Sequence, residues 1–130
     1  MENTGEAEVY RFLYEKIDTI PHLEALLQVW QSRPRKWNER DLAQRLFVST
    51  QVLRGIMQDL AGLHLVFACQ EAGQCWYCYQ SQSPRTDALV EAVAETYKRE
   101  LLRVTAAIHS KASSGAREFG RAFQFKKGTH

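Results

Sequence analysis

Four residues near the middle of this 130-residue chain carry side chains that bind metals or react with oxidants: His64, Cys69, Cys75 and Cys78. The stretch "CWYC" gives Cys75 and Cys78 the two-residue spacing of a zinc knuckle, in which thiolates grip one tetrahedral ion. That chemistry needs both sulfurs on one side of the backbone. The surrounding "LHLVFACQ" and "CWYCYQ" are rich in β-branched and aromatic residues and are separated by "EAG", the pattern of a hairpin. Side chains three apart in a strand point to opposite faces, and no second CxxC is present. No metal is therefore expected at these residues, and no cofactor anywhere. Ordinary buried or half-buried cysteine is the favoured reading, with a redox-sensing thiol as the alternative.

Other chemistry finds less support. His22, His64, His109 and His130 lie in separate segments, with no nucleophile motif, P-loop or dinucleotide fingerprint. Glu91 and Glu95 share a helical face, which is the usual arrangement of a solvated surface. No catalytic residue is assigned and an enzyme is not expected. Trp30, Trp37 and the "WYCY" aromatics suit either a ligand pocket or a small core, and core packing is favoured.

The chain has 17 basic and 15 acidic side chains, a net charge of +2. Residues 1–31 sum to −4, 32–60 to +3, 61–97 to −3 and 98–130 to +6, so positive charge collects on two segments. No apolar run reaches the roughly 20 residues a membrane span needs, and "MENTGEAEVY" is acidic where a signal peptide is basic and then apolar. A cytoplasmic protein with no membrane partner is expected. In a reducing compartment, an odd cysteine count argues against a disulfide framework.

The elements that must position any site follow from periodicity. Val9, Phe12, Leu13 and Ile17 define a helix over Glu8–Asp18. Leu23, Leu26, Leu27 and Trp30 define a second, with Pro21 in its first turn and Pro34 beyond its end. Asn38 caps a helix over Glu39–Leu46, with Leu42, Ala43 and Leu46 inward. "FVS" makes a turn, and Ser49 or Thr50 caps a helix to Ala61 whose inward face is Val52, Leu53, Ile56, Met57 and Leu60. Gly62 is expected to close it in the left-handed conformation. After the hairpin and the loop "SQSPRT", one long helix is expected from about Asp87 to Ser110, then a break at "KASSG", a short helix over 116–123 and a basic tail.

Helix, helix, turn, helix, hairpin is the winged helix order, and the stretch 37–66 resembles the winged helix-turn-helix transcriptional regulators, with flanking helices like the MarR-type subset. Leu42, Ala43, Leu46, the turn at Val48 and Ser49, and the run from Leu60 carry the likeness. The implied fold is mainly α with a small β-hairpin: a winged helix-turn-helix flanked by N-terminal and long C-terminal helices. Residues 1–130 form one domain, with a helical arm over 1–20, the winged helix core over 21–82, and a C-terminal dimerisation segment and basic tail over 83–130.

The resemblance implies a regulator that binds double-stranded DNA with the helix over 49–61 in the major groove. Its outer face holds Thr50, Gln51, Arg54, Gly55 and Gln58; Arg can bond a guanine edge and Gln an adenine edge. MarR-type wings usually bear an arginine, whereas this tip reads Gln70, Glu71, Ala72, Gly73, Gln74. Phosphate contacts would then fall to Arg33, Arg35, Lys36, Arg40 and Arg45. The acidic, aromatic wing also supports an alternative, a winged helix that docks a protein partner such as a transcription-machinery component.

Val90, Ala94, Tyr97, Leu101, Val104 and Ile108 follow a heptad-like spacing, with Leu89, Val93 and Leu102 widening the apolar face. A homodimer built on this seam, with help from Phe12 and Leu13, is expected.

Overall fold

Four helices start on a short polar side chain that accepts from one of the first free backbone N–H groups, as the sequence requires. Thr19 Oγ1 accepts from His22, Asn38 Oδ1 from Asp41, Ser49 Oγ from Val52 and Ser83 Oγ from Thr86, at 2.7–3.3 Å. The computed structural model describes residues 5–110. These caps set the starts of α2 (Ile20–Gln31), α3 (Glu39–Leu46), α4 (Thr50–Gly62) and α5 (Pro84–Arg99), following α1 (Glu6–Lys16). A sixth helical stretch, α6, covers 101–110. The short helix expected over 116–123 and the basic tail lie outside the described residues.

α2 is apolar on most sides, with Leu23, Ala25, Leu26, Leu27, Val29 and Trp30 buried, and it packs against α3, α4, α5 and the sheet. On α4 the buried stripe is Leu53, Ile56, Met57 and Leu60, as expected. Val52 departs from expectation and is half exposed. At 3.6 residues per turn it sits roughly 90° from the middle of that stripe. The left-handed residue after α4 is also not Gly62, which remains helical, but His64, with φ 63°.

The sheet has three antiparallel strands in the order β1 (Trp37–Asn38), β3 (Gln74–Tyr79), β2 (Val66–Glu71). The hairpin turn is two residues, Ala72 and Gly73, both at positive φ, which matches the twist of the strands. β1 was not expected, since two residues carry no periodicity. Trp37 pairs with Tyr77, and both side chains are buried beneath the sheet. Trp30 meets Tyr79 edge-on with ring centroids 5.0 Å apart. Core packing is thus the role of Trp30, Trp37 and Tyr77.

The expected long C-terminal helix is broken. Glu100 leaves helical geometry at φ −127°, ψ 53°, and separates α5 from α6. Tyr10 on α1 donates to Glu100 Oε1 (3.0 Å). Arg103 lies over the Tyr10 ring at 4.7 Å and reaches Glu6 (2.6 Å), which holds α6 against α1. Burial and the bond to Glu100 push the Tyr10 phenol above its ordinary pKa. The turn lets Val104 and Ile108 bury in the chain's own core with Val9, Leu13, Val90 and Val93.

Candidate nucleic-acid interface

Ser49 caps α4 and aims its N-terminal turn at solvent, with Thr50, Gln51, Arg54 and Gln58 all exposed along one side. Among the described residues, the side chains of Thr50, Gln51 and Gln58 bond to nothing else in the chain. Ahead of the cap stands Phe47, which ends α3 in the left-handed conformation (φ 60°) and is 93% exposed. That conformation is uncommon for a residue with a Cβ.

Arg54 is differently placed. Its Nε and Nη2 each donate to Glu39 at 2.9 Å, a bidentate pair between α4 and the first turn of α3, and Tyr77 Oη donates to the same carboxylate at 3.2 Å. These bonds, those from Arg54 foremost, hold the Glu39 carboxyl below its ordinary pKa against the opposing effect of burial. Burial pushes the Tyr77 phenol up, with its neighbours adding to the shift. Because the guanidinium side chain is 56% exposed, water screens the pair and its outer edge stays accessible. The residue best suited to read guanine is therefore held by an internal carboxylate that offers the same two-point geometry as a guanine edge. The sequence placed Arg54 on the outer face but missed Glu39, fifteen residues earlier.

The five expected phosphate-binding residues are split. Arg40 shares a cleft of about 380 Å³ with Asn38, Thr50 and the wing-tip residues Gly73 and Gln74, and among the described residues its side chain has no partner. On the other side of the helix-turn-helix, Arg35 and Arg45 line a second depression with Phe47. There Arg35 stacks over Trp37 at 3.7 Å, and Arg45 donates to Gln28 at 3.3 Å. Arg33 stacks over Trp30 at 3.4 Å and donates to its carbonyl, apart from both groups. Lys36 is engaged by Glu71 of the wing at 3.1 Å, and this bond raises its pKa.

Among solved structures the chain is similar to MepR, a transcription regulator of the Staphylococcus aureus multidrug efflux pump MepA. That match is at 15% identity over 93% of this chain and 85% of that one, with a TM-score of 0.55. It is also similar to the adhesin competence repressor AdcR from Streptococcus pyogenes, at 10% identity over 91% and 88% of the two chains and a TM-score of 0.52. The chain has their winged helix fold. The likeness drawn from the sequence to MarR-type regulators is thus met in the architecture, which at this identity is what the two structures share with it. No protein-family model matches the chain, and no curated protein matches it.

Within this winged helix, the strand register separates the cysteines as expected. Phe67 pairs with Cys78 and Cys69 with Trp76, which places those four side chains on the outer face of the wing. Cys75 lies on the inner face, lining a cleft of about 410 Å³ with Arg54, Gln58 and Tyr77. The zinc-knuckle arrangement is excluded for Cys75 and Cys78 by this alternation. Burial pushes the Cys78 thiol up, away from the thiolate that a redox sensor uses.

Most of the expected dimer seam is covered within the single chain. Phe12, Leu13, Val90, Val104 and Ile108 are buried within the single chain, and Tyr97 is half-buried, bonded through its hydroxyl to Glu24 at 3.3 Å. The break at Glu100 turns the seam inward. What remains outside at that corner is Leu101, 51% exposed, and Leu102, 82% exposed. Among the described residues, no helix is long and apolar enough to cross a membrane.

Proposed function

We propose that this protein is a cytoplasmic, DNA-binding transcriptional regulator that reads the major groove with α4. The observation that carries the reading is the row of uncommitted polar side chains at Thr50, Gln51 and Gln58 on a capped, solvent-facing helix. A glutamine amide offers a donor and an acceptor side by side, the complement of adenine N7 and N6 in the major groove. Arg40 on the wing side, and Arg35 and Arg45 on the turn side, supply positive charge to the flanking phosphates. Arg54 contributes when a guanine replaces Glu39 as its bidentate partner. In-vitro selection from a random duplex library, followed by binding at several salt concentrations, tests this. Enrichment of a sequence whose affinity falls steeply with salt supports the reading, and a library left unenriched at micromolar protein removes it.

The proposed assembly is a homodimer, which places two copies of α4 on one duplex. Two neighbouring leucines open to water at the α5–α6 corner support an interface there, with Tyr14 of α1 also exposed. Light scattering at tens of micromolar should give twice the 15.0 kDa chain mass, falling to one chain mass in Leu102→Glu with the helical content kept. A wild-type monomer under those conditions removes the dimer.

A second reading rests on the outer wing face. Phe67 is half exposed there beside Trp76, whose indole N–H is buried without a hydrogen-bond partner among the described residues. A protein docking on this aromatic face is the alternative use of the fold. Loss of a partner from a tagged pull-down on Phe67→Ser, with DNA binding unchanged, would favour it.

A further inference from the structure

At the corner between α1 and α2, three side chains from separate stretches bring ligand atoms to one point. Asp18 lies in the link after α1, His22 in the first turn of α2, and Asp59 on the later half of α4. One carboxylate oxygen or ring nitrogen from each falls within 4.8 Å of the other two. We propose that Asp18, His22 and Asp59 bind a divalent first-row transition ion, with Zn²⁺ as the best fit, and that the ion fastens α4 to the α1–α2 corner.

The His22–Asp59 distance suits such an ion, and Asp18 lies close enough to join it. Bonds of about 2.0–2.2 Å place neighbouring ligand atoms roughly 3.0–3.5 Å apart. His22 Nε2 and Asp59 Oδ2 already stand at 2.8 Å, so they need to part by only a few tenths of an ångström. At that separation a ring nitrogen and a carboxylate need a proton or a cation between them. Thr19, the N-cap of α2, prepares the ring for either. Its Oγ1 is 2.7 Å from Nδ1, and a hydroxyl can donate to a bare Nδ1 or accept from Nδ1–H. In the second case the Nε2 lone pair faces the two carboxylates, which is the tautomer a metal takes, with the outer hydrogen bond that orients metal-bound histidines.

Burial and ligand type point the same way. The His22 side chain is only 12% exposed, held by its helix and by Thr19, whereas Asp59 is 57% exposed. The ring is thus a fixed ligand and the carboxylates form an open rim through which an ion and its waters can enter. One nitrogen and two oxygens match Zn²⁺ or Mn²⁺ better than Mg²⁺ or Ca²⁺, which take oxygen alone, and three protein ligands leave a position for water. The sequence reading weighed the wing cysteines and His64 for metal. It missed this cluster because Asp59 is 37 residues from His22, so no local spacing reveals it. The site stands whether or not α4 reads DNA.

The test uses the full chain, free of DNA, titrated with Zn²⁺ by calorimetry and thermal melting, and with Co²⁺ by absorption. The expected result is about one ion per chain with micromolar affinity. The melting temperature should rise as the site fills, and the Co²⁺ spectrum should lack a thiolate charge-transfer band. Asp18→Asn and His22→Gln should each weaken binding about tenfold or more and abolish the thermal shift. Asp18→Asn keeps the size of an exposed side chain outside the core, so it decides the question even if His22→Gln fails to fold. Affinity unchanged in Asp18→Asn, a thiolate band, or no saturable binding at hundreds of micromolar Zn²⁺ would each overturn the proposal.

Discussion

α4 and the wing come from neighbouring stretches of the chain, but three polar side chains of α4 and three of the wing are used in opposite ways. On α4, Thr50, Gln51 and Gln58 bond nothing else among the described residues. On the wing, Tyr77 bonds Glu39, Tyr79 donates to Asp87 at 2.7 Å and Glu71 holds Lys36. Burial pushes the Tyr79 phenol up, with the bond to Asp87 second. A polar group satisfied inside the fold stabilises that fold; one left unsatisfied on a capped helix is available to a ligand. The wing therefore braces α3, α5 and β1, and the uncommitted polar side chains are gathered on α4, the surface proposed to read DNA.

The largest expected effect removes the base on which α4 rests. Leu60 of α4 is fully buried in the core, and Leu60→Ala should cost about 2–5 kcal/mol in urea unfolding. A smaller loss would mean that α4 is not anchored as the structure has it. Next, Gln51→Ala should weaken binding to a selected duplex by about 1–3 kcal/mol while sparing random DNA. Equal losses on both would move Gln51 from base reading to backbone contact. Arg40→Ala should weaken both DNAs alike and lower the slope of log affinity against log salt by about one, whereas Lys36→Ala, already engaged by Glu71, should leave that slope nearly unchanged.

The smallest effect sharpens the contrast at its border, where Glu39 of α3 joins Arg54 of α4 to Tyr77 of the wing. Glu39→Gln removes the charge that holds Arg54, and non-specific DNA affinity should rise by roughly threefold to tenfold. The same carboxyl gives a pH signature. Its pKa in the fold lies below the ordinary 4.5, so its contribution to stability is present above that value and is lost as the pH falls through the lower folded value. Acid unfolding of Glu39→Gln should lack this component, and an unchanged acid limb would show that the pair does not stabilise the fold.

How much of this was legible in sequence depends on how local the cause is. Asn38 and Ser49 announce the starts of α3 and α4 because a cap acts within three residues, and the stripe Leu53, Ile56, Met57, Leu60 reports a buried face directly. The split of Cys75 from Cys78 follows from strand alternation alone. The break at Glu100 was hidden, since the apolar spacing of Val90 through Ile108 runs across it without interruption. The residue there is tied to Tyr10, 90 residues away, and no local spacing shows that contact. The capture of Arg54 by Glu39 and of Lys36 by Glu71 was hidden for the same reason, because exposure can be read from periodicity but partners across the fold cannot. β1 owes its pairing entirely to β3.

The claim that α4 carries the reading surface is tested most directly by fluorescence anisotropy on a selected duplex, comparing the wild type with a chain in which Thr50, Gln51 and Gln58 are all alanine. These side chains support no other part of the described fold, so melting should be unchanged within about 0.5 kcal/mol. Affinity for the selected duplex should fall to the level of random DNA, with the salt dependence of the random-DNA complex retained. A triple variant that keeps the wild-type preference for the selected duplex would contradict the account and place the reading surface elsewhere on the molecule.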